Sequence, residues 1–149
     1  MYDYVRKDFD GNPRPIHTYH GDKVLNRSFT ADWVDQNLVN GGKRVVRSGA
    51  DWEEFVVGEH DLLYFSLRNE RFVTAMDDDT AGDFHVLTLV DGEQVMIRSK
   101  TNPERFFLQN YLDIVIIPAS FGPYELVNLK AGTTCVEHKT MLKPTNAAS

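Results

Sequence analysis

From Lys43 to His138 the chain consists of short runs rich in Val, Ile, Phe, Tyr and Leu, each closed by a turn signal. That spacing is strand spacing, and it constrains the fold more than any other feature of the sequence. The runs predict strands over 43–47, 54–57, 62–69, 71–75, 83–90, 93–98, 105–108, 113–117, 124–129 and 133–138. Asp91-Gly92, between two apolar runs, is the sharpest local signal: it predicts a tight hairpin turn that needs positive φ. Ile114-Val115-Ile116-Ile117, stopped by Pro118, reads as a strand buried on both faces. Many short strands at roughly even spacing point to a mainly β barrel or sandwich.

The N-terminal stretch has a different texture. Asp8, Asp10, Gly11, Asn12, Pro13 and Pro15 break up any regular element and predict an extended arm. Short helices follow over 16–25 and 32–39, the second capped by Ser28 or Thr30 and ended by Gly41-Gly42. The expected organisation is an arm with short helices over 1–42, a barrel over 43–142 and a flexible tail over 143–149. A chain of 149 residues is long enough for one hydrophobic core and too short for two. Its net charge of −6 and pI of about 5.3 argue against nucleic acid as a partner, since phosphate neutralisation needs a concentrated basic surface. Cys135, the one cysteine, excludes an intramolecular disulfide and reads as a small core residue on a strand. The start lacks the apolar run of a signal peptide and no apolar stretch approaches the length of a membrane span, so a cytoplasmic location with no membrane partner is expected.

Catalytic and metal-ligating patterns are incomplete. No nucleophile elbow, P-loop or dinucleotide glycine fingerprint occurs. His17, His20, His60, His85 and His138 include no alternating His-x-His clamp, and the His17/His20 pair reads as surface. Asp77-Asp78-Asp79-Thr80-Ala81-Gly82-Asp83 resembles a calcium loop only in outline, because Ala81 and Thr88 stand where ligands should be. It reads instead as a solvated acidic hairpin. Glu53 and Glu54 are adjacent, so on a strand they face opposite ways, and solvated surface is their default reading.

The stretches Phe84-His85-Val86-Leu87-Thr88-Leu89-Val90-Asp91-Gly92-Glu93 and Asp113-Ile114-Val115-Ile116-Ile117-Pro118 resemble the two motif regions of the cupin family. In a metal-binding cupin the first motif supplies His-x-His and a Glu, and the second supplies a further His. Aligned on Gly92, His85 takes the Glu position and the His-x-His positions fall within 78–81. In the second motif Asp113, Pro118, Gly122 and Asn128 are kept, and Pro123 or Tyr124 stands in place of the His. Tyr2-Asp3-Tyr4-Val5-Arg6, Asp10-Gly11-Asn12-Pro13-Arg14-Pro15-Ile16-His17, Leu63-Tyr64-Phe65-Ser66-Leu67 and Ile116-Ile117-Pro118-Ala119 narrow the resemblance. In that order they look like the C-terminal, non-catalytic half of bacterial mannose-6-phosphate isomerases, whose zinc ligands precede the Tyr-Asp-Tyr stretch.

The resemblance implies a single cupin-type jelly-roll barrel with a partly helical N-terminal arm, inactive as an isomerase by itself and without a metal or other cofactor. It implies a non-catalytic domain of carbohydrate metabolism: one part of a split isomerase that needs a catalytic partner chain, or a remnant that binds a sugar or sugar phosphate. A small-molecule sensing module, a structural or homo-oligomeric assembly domain and, furthest out, an active isomerase remain the alternatives. The resemblance also implies that His85, Leu87 and Leu89 point inward, and His85, Arg98 and Tyr124 are the expected ligand-pocket residues, against the plainer reading of His85 as a core histidine satisfied by a polar neighbour.

Overall fold

The structure, a computed structural model, describes residues 5–39, 44–61 and 63–143. The chain falls into two compact units that divide between Gly41 and Gly42. Residues 41–42 and 144–149, which carry the expected helix stop and most of the expected tail, lie outside the described residues.

In the first unit, helix α1 spans Thr18–Val24 and helix α2 spans Ala31–Val34, and the backbone continues beyond α2 as a π-helical turn over Asp35–Val39. Thr30 caps α2 by accepting a hydrogen bond from the Trp33 backbone N–H, which satisfies one of the donors a helix start leaves unpaired. The arm before α1 is pinned locally: the Asp8 carboxylate accepts from the Asp10 and Asn12 N–H groups, and Lys7 bridges to Pro13. His17 and His20 are both exposed, with ring centroids 6.5 Å apart.

The second unit contains ten strands: β1 (Arg44–Ser48), β2 (Trp52–Gly58), β3 (Phe65–Phe72), β4 (Ala75–Asp79), β5 (His85–Asp91), β6 (Gln94–Ser99), β7 (Phe106–Asn110), β8 (Ile114–Ile117), β9 (Pro123–Asn128) and β10 (Cys135–Leu142). They form a six-stranded sheet of order β1-β2-β3-β10-β5-β8 and a four-stranded sheet of order β4-β9-β6-β7, all antiparallel. The last strand lies between β3 and β5, the long return that distinguishes a jelly roll from an up-and-down meander. Among the described residues no ladder joins the two sheets, so this unit is a jelly-roll sandwich rather than a closed barrel.

Three expectations need correction. Asp91-Gly92 is a turn, and Gly92 has φ +107°, but β5 and β6 belong to different sheets, so the turn carries the chain across the sandwich instead of closing a hairpin. A Cβ at Gly92 would meet the Cys135 sulfur at 2.7 Å, so close packing as well as backbone sign calls for glycine there. The break between β3 and β4 falls at Val73-Thr74 rather than at residue 70, which draws Asp77, Asp78 and Asp79 into a strand. Finally, β8 is an edge strand with one wet face: Ile114 and Ile116 are 70% and 67% exposed while Ile117 is buried. A continuous apolar run cannot by itself tell a central strand from an edge.

Along β5 the inward positions are His85, Leu87 and Leu89, all buried. Leu87 and Leu89 pack with Val95 and Ile97 of β6, Leu126 of β9, Phe72, Met76, Ile117 and Cys135 into the apolar core. Each such aliphatic side chain stabilises the fold by roughly 1.5–3 kcal/mol through removal from water. Burial raises the Cys135 thiol to about 11, which keeps it protonated and makes it an inert packing group.

Candidate functional site

The inner faces of β2, β3 and β10 are not apolar. Side chains alternate along a strand, and the residues that face inward here are Glu54 on β2, Ser66 and Glu70 on β3, and Glu137 and Lys139 on β10, all 2% exposed or less. Cross-strand register sets Glu54 beside Glu70, Glu70 beside Glu137, and Arg68 beside Lys139. From the opposite sheet Asp78 of β4 joins them, itself 8% exposed.

The Lys139 ammonium is the centre of this cluster. Its Nζ lies 2.5 Å from Glu70 Oε1, 2.6 Å from Asp78 Oδ2 and 3.0 Å from Glu54 Oε1. Arg47 of β1 covers the carboxylates from the solvent side: its guanidinium donates to Glu54, to Asp78 Oδ1 at 2.6 Å and to the Asp77 carbonyl at 2.8 Å. Arg68 donates to Glu54 Oε1 at 3.1 Å. A buried charge is tolerable only when paired and hydrogen-bonded, and the electrostatics follow that rule. Burial alone would lower Lys139, but Glu70, Asp78 and Glu54 outweigh it and raise its pKa. Burial opposes the Asp78 and Glu54 carboxylates as well, yet Lys139 and Arg47 hold both below the usual range. Glu70 is different: burial pushes its carboxyl up to about 8. Beside it, burial pushes Glu137 up to about 9, with Gln109 Nε2 donating to its Oε2 at 3.3 Å.

His85 and Tyr124 complete the polar interior. The Tyr124 hydroxyl donates to Asp78 Oδ2 at 2.8 Å and stands 2.9 Å from His85 Nδ1. A phenol has one proton, and since it goes to the Asp78 carboxylate, His85 Nδ1 carries its own proton and donates to the phenol oxygen. Burial lowers the imidazole pKa, so the ring is neutral. Burial also raises the Tyr124 phenol far above its ordinary value. Thr80, 1% exposed, donates through Oγ to the Ala119 carbonyl at 2.9 Å.

The three residues singled out by sequence thus separate. His85 and Tyr124 lie together in the interior. Arg98 faces out from β6, where its guanidinium pairs with Glu125 of β9 at 2.6 Å on the outer surface of the small sheet. Two further readings are corrected. Asp78 is no part of a solvated hairpin: on β4 it shares the inward face with Met76. Glu54 is no surface residue, because the alternation that turns Glu53 away turns Glu54 inward. No motif in the sequence marks Lys139, Glu70 or Arg47. The one available signal was alternation in β10, where Cys135, Glu137 and Lys139 share a face, and a Cys-Glu-Lys face does not look like a buried one.

Two concavities flank this interior. A groove of about 430 Å³ opens between β7 and β8, lined by Ile97, Phe106, Phe107, Val115, Ile117 and Phe121 among others. A shallower depression of about 410 Å³ lies over Arg47, Asp77, Asp78, Asp79 and Lys100. Among the described residues no helix is long and apolar enough to cross a membrane.

Comparison with known proteins gives the class first. No family model matches the sequence, and no curated protein matches it. Solved structures do match: a cupin-2 domain protein from Rhodospirillum rubrum, at 11% identity and TM-score 0.55 over 68% of this chain and 70% of that one, and a polyketide cyclase from Streptomyces resistomycificus, at 12% identity and TM-score 0.54 over 71% and 76%. The fold is therefore the cupin jelly roll. A mannose 6-phosphate isomerase from Bacillus subtilis extends the likeness to 93% of this chain, with TM-score 0.64 at 15% identity. The chain spans 38% of the length of that isomerase, and it is a cupin fold that resembles it.

The metal that a metal-binding cupin would hold can be tested against the residues present. At the four motif positions the buried side chains are Asp78, Thr80, His85 and Tyr124. They offer one carboxylate, one imidazole and two hydroxyls, and they already hydrogen-bond to one another or to the backbone. Asp78 also holds the Lys139 ammonium at 2.6 Å. A divalent ion needs deprotonated donors aimed at it and no resident positive charge, so these residues do not fit one. Among the described residues no three His, Cys, Asp or Glu side chains form a metal-holding group.

Proposed function

We propose that the chain acts as a non-catalytic cupin domain of carbohydrate metabolism in the cytoplasm, the counterpart of the C-terminal half of a mannose-6-phosphate isomerase, working beside a catalytic partner chain. One observation carries this reading: the interior positions that serve as metal ligands in a metal-binding cupin are spent here on a closed network of Asp78, His85, Tyr124 and Lys139. An aldose–ketose isomerisation needs a group that polarises the carbonyl and a base free to move a proton between adjacent carbons. His85 cannot be that base through Nδ1, which is engaged with Tyr124, and Lys139 is held protonated by its three carboxyl neighbours. In this reading residues 43–142 form the folded module, and the interior serves to hold its two sheets together.

Purified chain incubated with mannose 6-phosphate, with and without added zinc, is expected to give no fructose 6-phosphate. Turnover that disappears in His85→Ala would overturn the reading.

A second reading rests on the β7/β8 groove, where Phe106, Phe107, Phe121 and aliphatic side chains outnumber the charged Glu104 and Arg105, a lining that suits a small, mainly apolar molecule better than a sugar phosphate. A thermal-shift panel separates the two: stabilisation by apolar ligands that is lost in Phe107→Ser favours a binding module, and stabilisation by sugar phosphates favours a sugar-binding remnant.

A further inference from the structure

The disagreement between the cupin motif positions and any divalent metal has a positive side. We propose that the sandwich interior is a cation site built for a primary ammonium, and that the chain fills it with its own Lys139.

Stoichiometry is the first support. An alkylammonium has three N–H donors and no acceptor, and Lys139 Nζ has three different carboxyl groups around it, those of Glu70, Asp78 and Glu54, at 2.5, 2.6 and 3.0 Å. Each comes from a different strand: Glu54 from β2, Glu70 from β3 and Asp78 from β4. Origin is the second support. Lys139 belongs to the six-stranded sheet and Asp78 to the four-stranded one, so the ammonium bridges two sheets that no backbone ladder joins among the described residues. A bound metal in such a position would tie the sheets through its ligands; here a side chain does so covalently anchored at one end.

Burial is the third. Lys139 is 2% exposed, and Arg47 closes the approach from solvent by pairing with Glu54 and Asp78. Lysine almost never reaches such burial unless paired. The neighbouring groups match the assignment: His85 Nδ1 is engaged with the Tyr124 hydroxyl, which donates to Asp78 Oδ2, the oxygen that also accepts from Nζ. The interior therefore gathers the Asp78, Glu54 and Glu70 carboxyl groups around one tethered ammonium that no dialysis or chelator removes, with Arg47 and Arg68 as further cations paired to Glu54 and Asp78. This inference concerns what occupies the interior and stands apart from the accessory-domain reading: the isomerase assay tests that reading, and the measurements below are blind to turnover.

The test uses the full chain with Lys139→Ala, which deletes what propylammonium would replace. The variant is expected to melt about 10 °C or more below wild type, since removing one partner strands buried carboxylates. Added propylammonium, at tenfold its dissociation constant, is expected to recover about 3–5 °C. Tetramethylammonium at equal ionic strength, with the same charge and no N–H, is expected to recover nothing. Equal recovery by both would overturn the proposal, because charge alone would then suffice. If Lys139→Ala does not fold, two measurements still decide. Lys139→Arg keeps the charge but presents a planar fork in place of a tripod, and it is expected to melt several degrees below wild type; unchanged melting counts against an ammonium-shaped site. Wild type titrated with zinc is expected to show no stabilisation. Zinc binding that raises the wild-type Tm and is lost in His85→Ala would show that the interior is a metal site after all.

Discussion

The interior of this sandwich has two halves that solve the same problem by opposite means. Facing β5, β6 and β9 it is filled by Leu87, Leu89, Val95, Ile97 and Leu126, groups that gain from leaving water and impose no directional demand. Facing β2, β3 and β10 it is filled by Glu54, Glu70, Glu137 and Lys139, groups that lose on leaving water and recover the loss only through partners at the right distance and angle. The apolar half tolerates a change of shape better than a change of size. In the charged half the pairing is incomplete: among the described residues the buried Ser66 Oγ, Glu70 Oε2 and Glu137 Oε1 have no hydrogen-bond partner, and each such atom costs stability. The two halves share strand β10, whose inward face passes from Cys135 to Glu137 to Lys139 within one element.

This contrast puts the costliest single change in the charged half. Asp78 accepts from Lys139, Arg47 and Tyr124 together. Asp78→Ala removes the acceptor that joins the sheets and leaves a buried ammonium short of one partner, which costs about 3–5 kcal/mol. Leu126→Ala, at a position 0% exposed, is expected to cost a little less, about 3 kcal/mol, through lost transfer energy and the cavity left behind. Urea denaturation of both variants measures the order. A smaller loss for Asp78→Ala than for Leu126→Ala breaks the comparison, because the charged half would then be a tolerated burden and not a fastening.

The contrast also explains what could be read in the sequence. Strand number and rough placement were legible because turn residues punctuate apolar runs wherever a strand ends. The inward face of β5 was legible too, since His85, Leu87 and Leu89 alternate cleanly with residues that face the other way. The charged half was not, for a physical reason. Alternation shows which residues share a face, and hydrophobicity is then used to decide which face is buried. In β2, β3 and β10 that second step fails, because Glu54, Glu70 and Lys139 are kept inside by one another and by Asp78 of β4, partners brought together only by strand pairing and by the packing of the two sheets, with Arg47 added from the neighbouring strand β1. The same limit applies to Arg98. Its chemistry suits an anion pocket, but its strand phase puts it outside beside Glu125. Tyr124 and His85, 39 residues apart, meet only through the packing of one sheet on the other.

A pH titration sharpens the comparison, since only the charged half titrates. Glu137 has its carboxyl raised from 4.5 to about 9 by burial, and Glu70 from 4.5 to about 8. For a group raised on folding, the contribution to stability is full below the unfolded value and is lost as pH rises through the folded one. These two residues therefore erode stability from pH 4.5 up to about 9. Asp78 and Glu54 are lowered and work the other way, holding their contribution above the ordinary carboxylate range and losing it in acid. Stability is expected to peak near pH 5. Glu137→Gln keeps the shape and cannot ionise, so it is expected to match wild type at pH 4 and exceed it by about 1–3 kcal/mol at pH 9. Urea midpoints across that range measure it, and a flat difference between the two proteins would mean that Glu137 titrates normally.

The smallest expected effect comes from the residue that sequence chemistry favoured and geometry moved outside. Arg98 and Glu125 form a partly exposed pair on the outer face of the small sheet, with side chains 38% and 24% exposed. Water screens such a pair and side-chain entropy opposes it, so Arg98→Ala is expected to cost no more than about 0.5 kcal/mol. Arg47 makes the instructive contrast. Its side chain is 34% exposed, almost as open as that of Arg98, yet its partners Glu54 and Asp78 are 1% and 7% exposed. Arg47→Ala leaves those carboxylates buried without their cover and is expected to cost several times more. If the two arginines prove equal, exposure of the cation governs the value of an ion pair in this fold. If Arg47 dominates, burial of its partners does, and the inward phase of Glu54 and Asp78 on their strands is what separates the two halves energetically.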